Sequence, residues 1–137
     1  MTISYRPCTK GDINAVLDLW IRGGQQGSTD NTTAIKRMLE RDPQLFVLAW
    51  DGEALVGSLI GAWDGWRANM YRLVIDPEYR RSGIATHLLE LVEDELRKLG
   101  ATRVYALALI NSSEAGPFWN HHGYVPNSSI EPLAKNL

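Results

Sequence analysis

A single cysteine, Cys8, stands among the 137 residues, which excludes an intrachain disulfide and any multi-cysteine metal site. The adjacent His121 and His122 have no further ligand at metal-site spacing, so no metal is expected. An excess of basic charge is missing as well. The formal net charge is −2 and the pI is near 5.9, which argues against a dedicated nucleic-acid binder. No apolar run approaches transmembrane length, and the first residues lack the basic-then-apolar order of a signal peptide. A cytoplasmic protein with no membrane partner is therefore expected. No repeat, low-complexity tract or long linker interrupts the chain. What remains is an ordinary core-forming composition, 45% hydrophobic and 22% charged, at a length that suits one domain over residues 1–137.

Periodicity sets out the elements. Ile3-Ser4-Tyr5-Arg6 alternates as a first strand, and Thr9 with Asp12 forms a capping box before the helical stripe Ile13, Val16, Leu17, Trp20. Ile35, Met38 and Leu39 predict a second helix, stopped by Asp42-Pro43. Strands follow over residues 45–50, 54–63 and 69–75, joined by turns at Asp51-Gly52 and Asp64-Gly65. Apolar residues at 85, 88, 89, 92, 96 and 99 mark a long helix that ends at Gly100. A strand over 102–109, a short helix over 112–122 and a last extended segment opening at Gly123-Tyr124-Val125 complete the order. An antiparallel meander followed by a β-α-β crossover, in one sheet with helices on both faces, buries these stripes most simply.

Residues 74–89, Val-Ile-Asp-Pro-Glu-Tyr-Arg-Arg-Ser-Gly-Ile-Ala-Thr-His-Leu-Leu, concentrate the functional signal. A strand meets a proline turn, then a basic loop with one glycine, then a helix start. That order gathers unpaired backbone N–H groups and the positive end of a helix dipole, a seat for a diphosphate. A plain turn explains the same residues when they are taken alone. Gly83 removes a Cβ where backbone must approach oxygen, Ala85 keeps the next inward position small, and Arg80 and Arg81 add charge.

The spacing Arg80-x-x-Gly83-x-Ala85 resembles the acetyl-CoA signature of the GCN5-related N-acetyltransferases. Residues 3–12 are similar to that family's first strand and helix start. Asn111 and Phe118-Trp119-Asn120-His121-His122-Gly123-Tyr124 resemble its later asparagine and aromatic ending, and residues 61–67 resemble a subgroup of small bacterial members. The resemblance implies an α/β (α+β) fold: a mixed, mostly antiparallel sheet of six to seven strands, helices on both faces, and a splay between the fourth and fifth strands. It implies acetyl-CoA as co-substrate. Its pantetheine arm would pair with backbone of Leu73, Val74 and Ile75, and its diphosphate would sit on Arg81, Ser82, Gly83, Ile84, Ala85 and Thr86. Arg80, Asn111 and Trp119 would be further contacts.

The implied reaction is transfer of acetyl to a primary amine of a small metabolite, an amino-acid-like compound or a peptide N-terminus, by direct attack in a ternary complex. A backbone N–H at Leu73 or Val74 would polarise the thioester carbonyl. The family's usual acid, a tyrosine, is replaced by Trp119, while Asn69 and Ala106 stand where some relatives carry a catalytic carboxylate or other group. Tyr71 and His122 are the candidates for proton transfer, with Asp64 and His121 behind them. Acceptor recognition falls to residues 24–33 and 63–67. The protein would act as a monomer or homodimer. Two other readings stay open: a CoA-binding sensor without turnover, and a partner-binding domain that uses Trp63 and Trp66.

Overall fold

The computed structural model describes residues 2–25, 27, 30–108 and 114–137. The chain divides into two compact units, Met1–Tyr105 and Ala106–Leu137, each described by itself.

The first strand, β1 (Ile3–Pro7), leads through a single 3-10 turn at Lys10–Asp12 into α1 (Ile13–Arg22). The expected capping residues act here: the Thr9 N–H and hydroxyl donate to Asp12 Oδ2 at 2.9 and 3.0 Å. Arg6 adds a two-pronged contact to the same carboxylate at 2.7 and 3.1 Å. These donors, the Arg6 guanidinium foremost, hold the Asp12 carboxyl below the ordinary carboxylate range. A depressed folded-state value contributes stability above the unfolded value near pH 4, and that stability is lost as pH falls through the folded value. Asp12→Asn is therefore expected to cost about 1–3 kcal/mol at pH 7. In chemical denaturation the gap between variant and wild type should narrow steadily as pH falls below about 4.

A second helix, α2 (Thr32–Arg41), is capped by Asn31, whose Oδ1 accepts the Ala34 amide at 2.9 Å. The meander follows as β2 (Phe46–Asp51), β3 (Ala54–Trp63) and β4 (Ala68–Ile75), each antiparallel to its neighbour. The long helix α3 (Ile84–Leu99) then crosses to β5 (Val104–Ala106). The sheet order is β1-β2-β3-β4-β5, mostly antiparallel with a parallel β4-β5 pair. The expected mixed sheet is present, with five strands among the described residues rather than six or seven.

The two faces of β3 explain the layering. Ser58 and Ile60 point toward α1 and α2, where Val16, Leu19, Trp20, Ile35 and Leu39 pack with Phe46, Leu48 and Val74. Gly57 and Gly61 point toward α3 and let it lie close. A Cβ on Gly57 would come within 3.1 Å of Ile84 Cγ2, and one on Gly61 within 2.7 Å of Val92 Cγ1. The α3 stripe starts one residue earlier than expected, at buried Ile84, and Leu99 at its far end is 40% exposed. No helix among the described residues is long and apolar enough to cross a membrane.

In the second unit the last helix, α4 (Ala115–His121), is followed by a turn rather than the expected extended segment. Gly123 takes φ +88, and the Tyr124 N–H donates back to Trp119 O at 2.9 Å, closing the helix end. Residues 125–137 contain no strand. Pro126 and Pro132 supply no amide for one.

Candidate functional site

The end of β4 is irregular where the sequence pattern is smooth. Ser58 pairs with Val74 and Ile60 with Tyr71, so Leu59 alone faces Arg72 and Leu73. The extra residue is a β-bulge, and Arg72 adopts φ +55 within it. A non-glycine residue in that region needs outside support, and three contacts provide it. Ser58 Oγ donates to Arg72 O at 2.9 Å while accepting from Trp20 Nε1 at 3.0 Å. The Arg72 guanidinium bonds Asp30 Oδ2 at 2.7 Å and lies 5.3 Å from the Trp20 ring centroid. Gln25 Nε2 donates to Leu73 O at 3.1 Å. Gln25 and Asp30, from between α1 and α2, are thereby fastened to the bulge.

Beyond Ile75 the chain is fixed before the basic loop begins. The Asp76 N–H donates to Val56 O at 2.8 Å, its carboxylate takes the Glu78 amide at 2.9 Å, and Arg22 bonds it at 3.2 Å. Tyr79 donates to Asp51 Oδ2 at 2.6 Å, tying the loop to the β2–β3 hairpin. Arg80 and Arg81 are exposed, Ser82 Oγ donates to Tyr79 O, and Arg81 (φ +61) and Gly83 (φ +84) both take left-handed backbone. Alternating backbone handedness ahead of a helix turns consecutive amides toward one point. Gly83 is the N-cap of α3, no side chain caps that end, and a Cβ added there would meet nothing within 4 Å. Ile84 is buried in the core, while Ala85 and Thr86 are half-buried on the first turn. An uncapped helix start preceded by two exposed arginines is the local chemistry that a diphosphate seat calls for.

Of the residues expected to carry chemistry, Leu73 is half-buried in the bulge, and Val74 is buried against α1, where Gly23 leaves room for it. Ile75 ends the strand opposite Gly57. Tyr71 is half-buried beside the α1–α2 core, and burial pushes its phenol above the ordinary value. The phenol therefore stays protonated at neutral pH. Asp64 is occupied as a turn cap, its Oδ1 accepting the Trp66 and Arg67 amides, which lower its pKa. Cys8 is buried just after β1, its thiol pushed up to about 12 chiefly by desolvation, so it offers no thiolate nucleophile. In the second unit Trp119 is buried, edge-on to Phe118 and Tyr124 at 5.4 and 4.9 Å, and His122 follows the C-terminal end of α4 against Phe118. Asn111 lies outside the described residues. Among the described residues no group of three potential metal ligands occurs.

Sequence reasoning missed Ser58 and Arg72, and reached Gln25 and Asp30 only as part of the 24–33 segment. One signal was available: Ser58 is the only hydroxyl inside the apolar run of β3.

Comparison with known proteins bears on the same segments. Residues 13–124 match the family model described as the acetyltransferase (GNAT) family. An acetyltransferase of Sodalis glossinidius is 30% identical over 127 residues, covering 92% of this chain and 89% of that one. The crystal structure of a probable acetyltransferase from methicillin-resistant Staphylococcus aureus superposes with a TM-score of 0.81 at 13% identity, over 99% and 100% of the two chains. A predicted acetyltransferase from Clostridium acetobutylicum, solved with acetyl-CoA, gives 0.75 at 16% identity over 97% and 96%.

Proposed function

This chain belongs to the GNAT acetyltransferase family, whose co-substrate is acetyl-CoA, and from that premise we propose that it acetylates a primary amine by direct attack in a ternary complex. The amine belongs to a small metabolite, an amino-acid-like compound or a peptide N-terminus. The observation that carries the reading is the left-handed Gly83 at the head of α3, reached from a bulged β4 through the proline turn and basic loop. Bound acetyl-CoA would supply an activated acetyl thioester. The amides of residues 81–86 would hold its diphosphate, with Arg80 and Arg81 adding charge. Backbone of Leu73, Val74 and Ile75 would pair with the pantetheine arm in the expected gap between β4 and β5, and the Leu73 or Val74 N–H would polarise the acetyl carbonyl.

The raised thiol pKa of buried Cys8 supports direct transfer over an acyl-cysteine route. Tyr71 is the better-supported proton donor, because it sits two residues from Leu73 and keeps its proton. His122 remains the second candidate. The decisive measurement is thiol release from acetyl-CoA against a library of amines and short peptides, beside calorimetric CoA binding. Amine-dependent release is the expected result. Tight CoA binding with no release for any amine would instead support the sensor reading, which the buried Trp119 favours by removing the usual acid.

A further inference from the structure

The turn between β3 and β4 presents a charged group with unusual support. Asp64 Oδ1 takes the Trp66 and Arg67 amides at 2.8 and 2.6 Å, and Gly65 adopts φ +94, so the turn is held in one shape. The Arg67 guanidinium carbon lies 4.0 Å from the Trp66 ring centroid, and Nη1 donates to the Tyr105 hydroxyl at 2.9 Å. On the same tyrosine ring sits the Arg103 guanidinium, 5.3 Å from the centroid. Arg41 reaches the turn too, donating to Trp63 O at 3.1 Å, but its charge is paired with Asp42. Among the described residues no carboxylate lies at ion-pair distance from Arg67 or Arg103; the nearby Asp64 is turned to its own backbone. Trp66 is 75% exposed, so the stacked pair faces solvent.

The geometry points to a carboxylate-recognition site in which Arg67, backed by Trp66 and Tyr105 and flanked by Arg103, takes an acidic group of a peptide acceptor. A guanidinium with one donor committed to Tyr105 keeps the rest of its planar fork, and that fork matches a carboxylate. Stacking removes much of the side-chain freedom that binding would otherwise cost. Spacing then selects the ligand. Arg67 lies in the turn one residue before β4 and six positions before Leu73, a separation on the order of 20 Å at the usual rise per residue. A free amino acid is far too short to place its amine at Leu73 and its carboxylate at Arg67. An extended peptide with an acidic residue about four to six positions from its N-terminus reaches both. This spacing rests on acetyl delivery at Leu73, as proposed above; the anion site itself does not.

The test uses the whole protein loaded with CoA and octapeptides with free N-termini. Each carries one Asp at a position from the second to the eighth, with an Asn-bearing counterpart. Binding is followed by calorimetry and by Trp66 emission, isolated by subtracting Trp66→Phe. The expected result is about tenfold tighter binding of the Asp peptide than its Asn counterpart at positions four to six. Arg67→Ala should erase that preference without changing CoA affinity or Tm, and Arg67→Lys should restore only part of it. Equal binding of Asp and Asn peptides, no peptide binding, or a preference that survives Arg67→Ala overturns the site. A preference independent of Asp position overturns the spacing. Acid-dependent binding with no acetyl transfer supports the site and sinks the transferase reading; transfer without acid dependence does the reverse.

Discussion

Gly83→Glu is expected to abolish measurable CoA binding while the protein stays folded. Gly83 takes φ +84 and ψ 0 at the N-cap of α3, where an L-residue is disfavoured by about 1–2 kcal/mol. No atom lies within 4 Å of a Cβ built there, so the substitution meets no packing clash. A glutamate side chain would occupy the space in front of the helix and bring a negative charge to the point where a diphosphate is expected. The loss of affinity should exceed about 100-fold, since one repelling charge and a blocked amide seat act together. Gly83→Ala separates the contributions. It carries the same backbone penalty and the same fall in Tm, but its methyl group should lower affinity by less than about tenfold. Calorimetry on the three proteins, with thermal melts beside it, reads both quantities. Unchanged CoA affinity in the glutamate variant would remove the diphosphate seat from this loop.

That loop was legible because each of its properties is local. A proline turn, two arginines, a glycine and a 3.6-residue apolar stripe all lie within sixteen consecutive residues. The boundaries of β3 were equally readable, since Gly-containing turns bracket it on both sides. The bulge was not. Arginine has no preference for left-handed backbone, and Arg72 adopts it only because Ser58, Asp30 and Trp20 come from three other places in the chain. The β-strand reading of residues 69–75 is right about existence and silent about the extra residue, which depends on pairing with β3. The two tryptophans of the β3–β4 turn separate for a similar reason. Trp63 ends β3 and is half-buried, whereas Trp66 falls in the turn and supports Arg67 from outside. The last extended segment was misread because Gly123 and Tyr124 satisfy a helix end, a demand that alternation along the chain does not reveal.

The bulge has its own large expected effect, through Ser58. This hydroxyl is fully buried and serves two groups at once, accepting the Trp20 indole N–H and donating to the Arg72 carbonyl. Ser58→Ala leaves both without that partner, and each orphaned buried group costs about 1–3 kcal/mol. For a domain of this size a loss of about 2–4 kcal/mol lowers Tm by roughly 7–14 °C. A double-mutant cycle with Trp20→Phe assigns the loss. If the hydroxyl and the indole act as a pair, the double variant should be more stable than the sum of the single losses by at least about 0.5 kcal/mol. The catalytic consequence should differ in kind from that of Gly83. Arg72 O accepts the Ser58 hydroxyl inside the bulge, and the next two residues are Leu73 and Val74, one of whose amides is the proposed carbonyl-polarising donor. Loosening that contact should lower the acetyl-transfer rate at saturating substrates by about tenfold or more. CoA affinity should fall far less than in Gly83→Glu, because the proposed diphosphate seat at Gly83 and the first turn of α3 lies outside the bulge and only the proposed pantetheine pairing at Leu73–Ile75 runs through it. A melt that does not move would show that Ser58 does not hold the bulge. A lower Tm with an unchanged rate would show that the bulge geometry does not govern transfer.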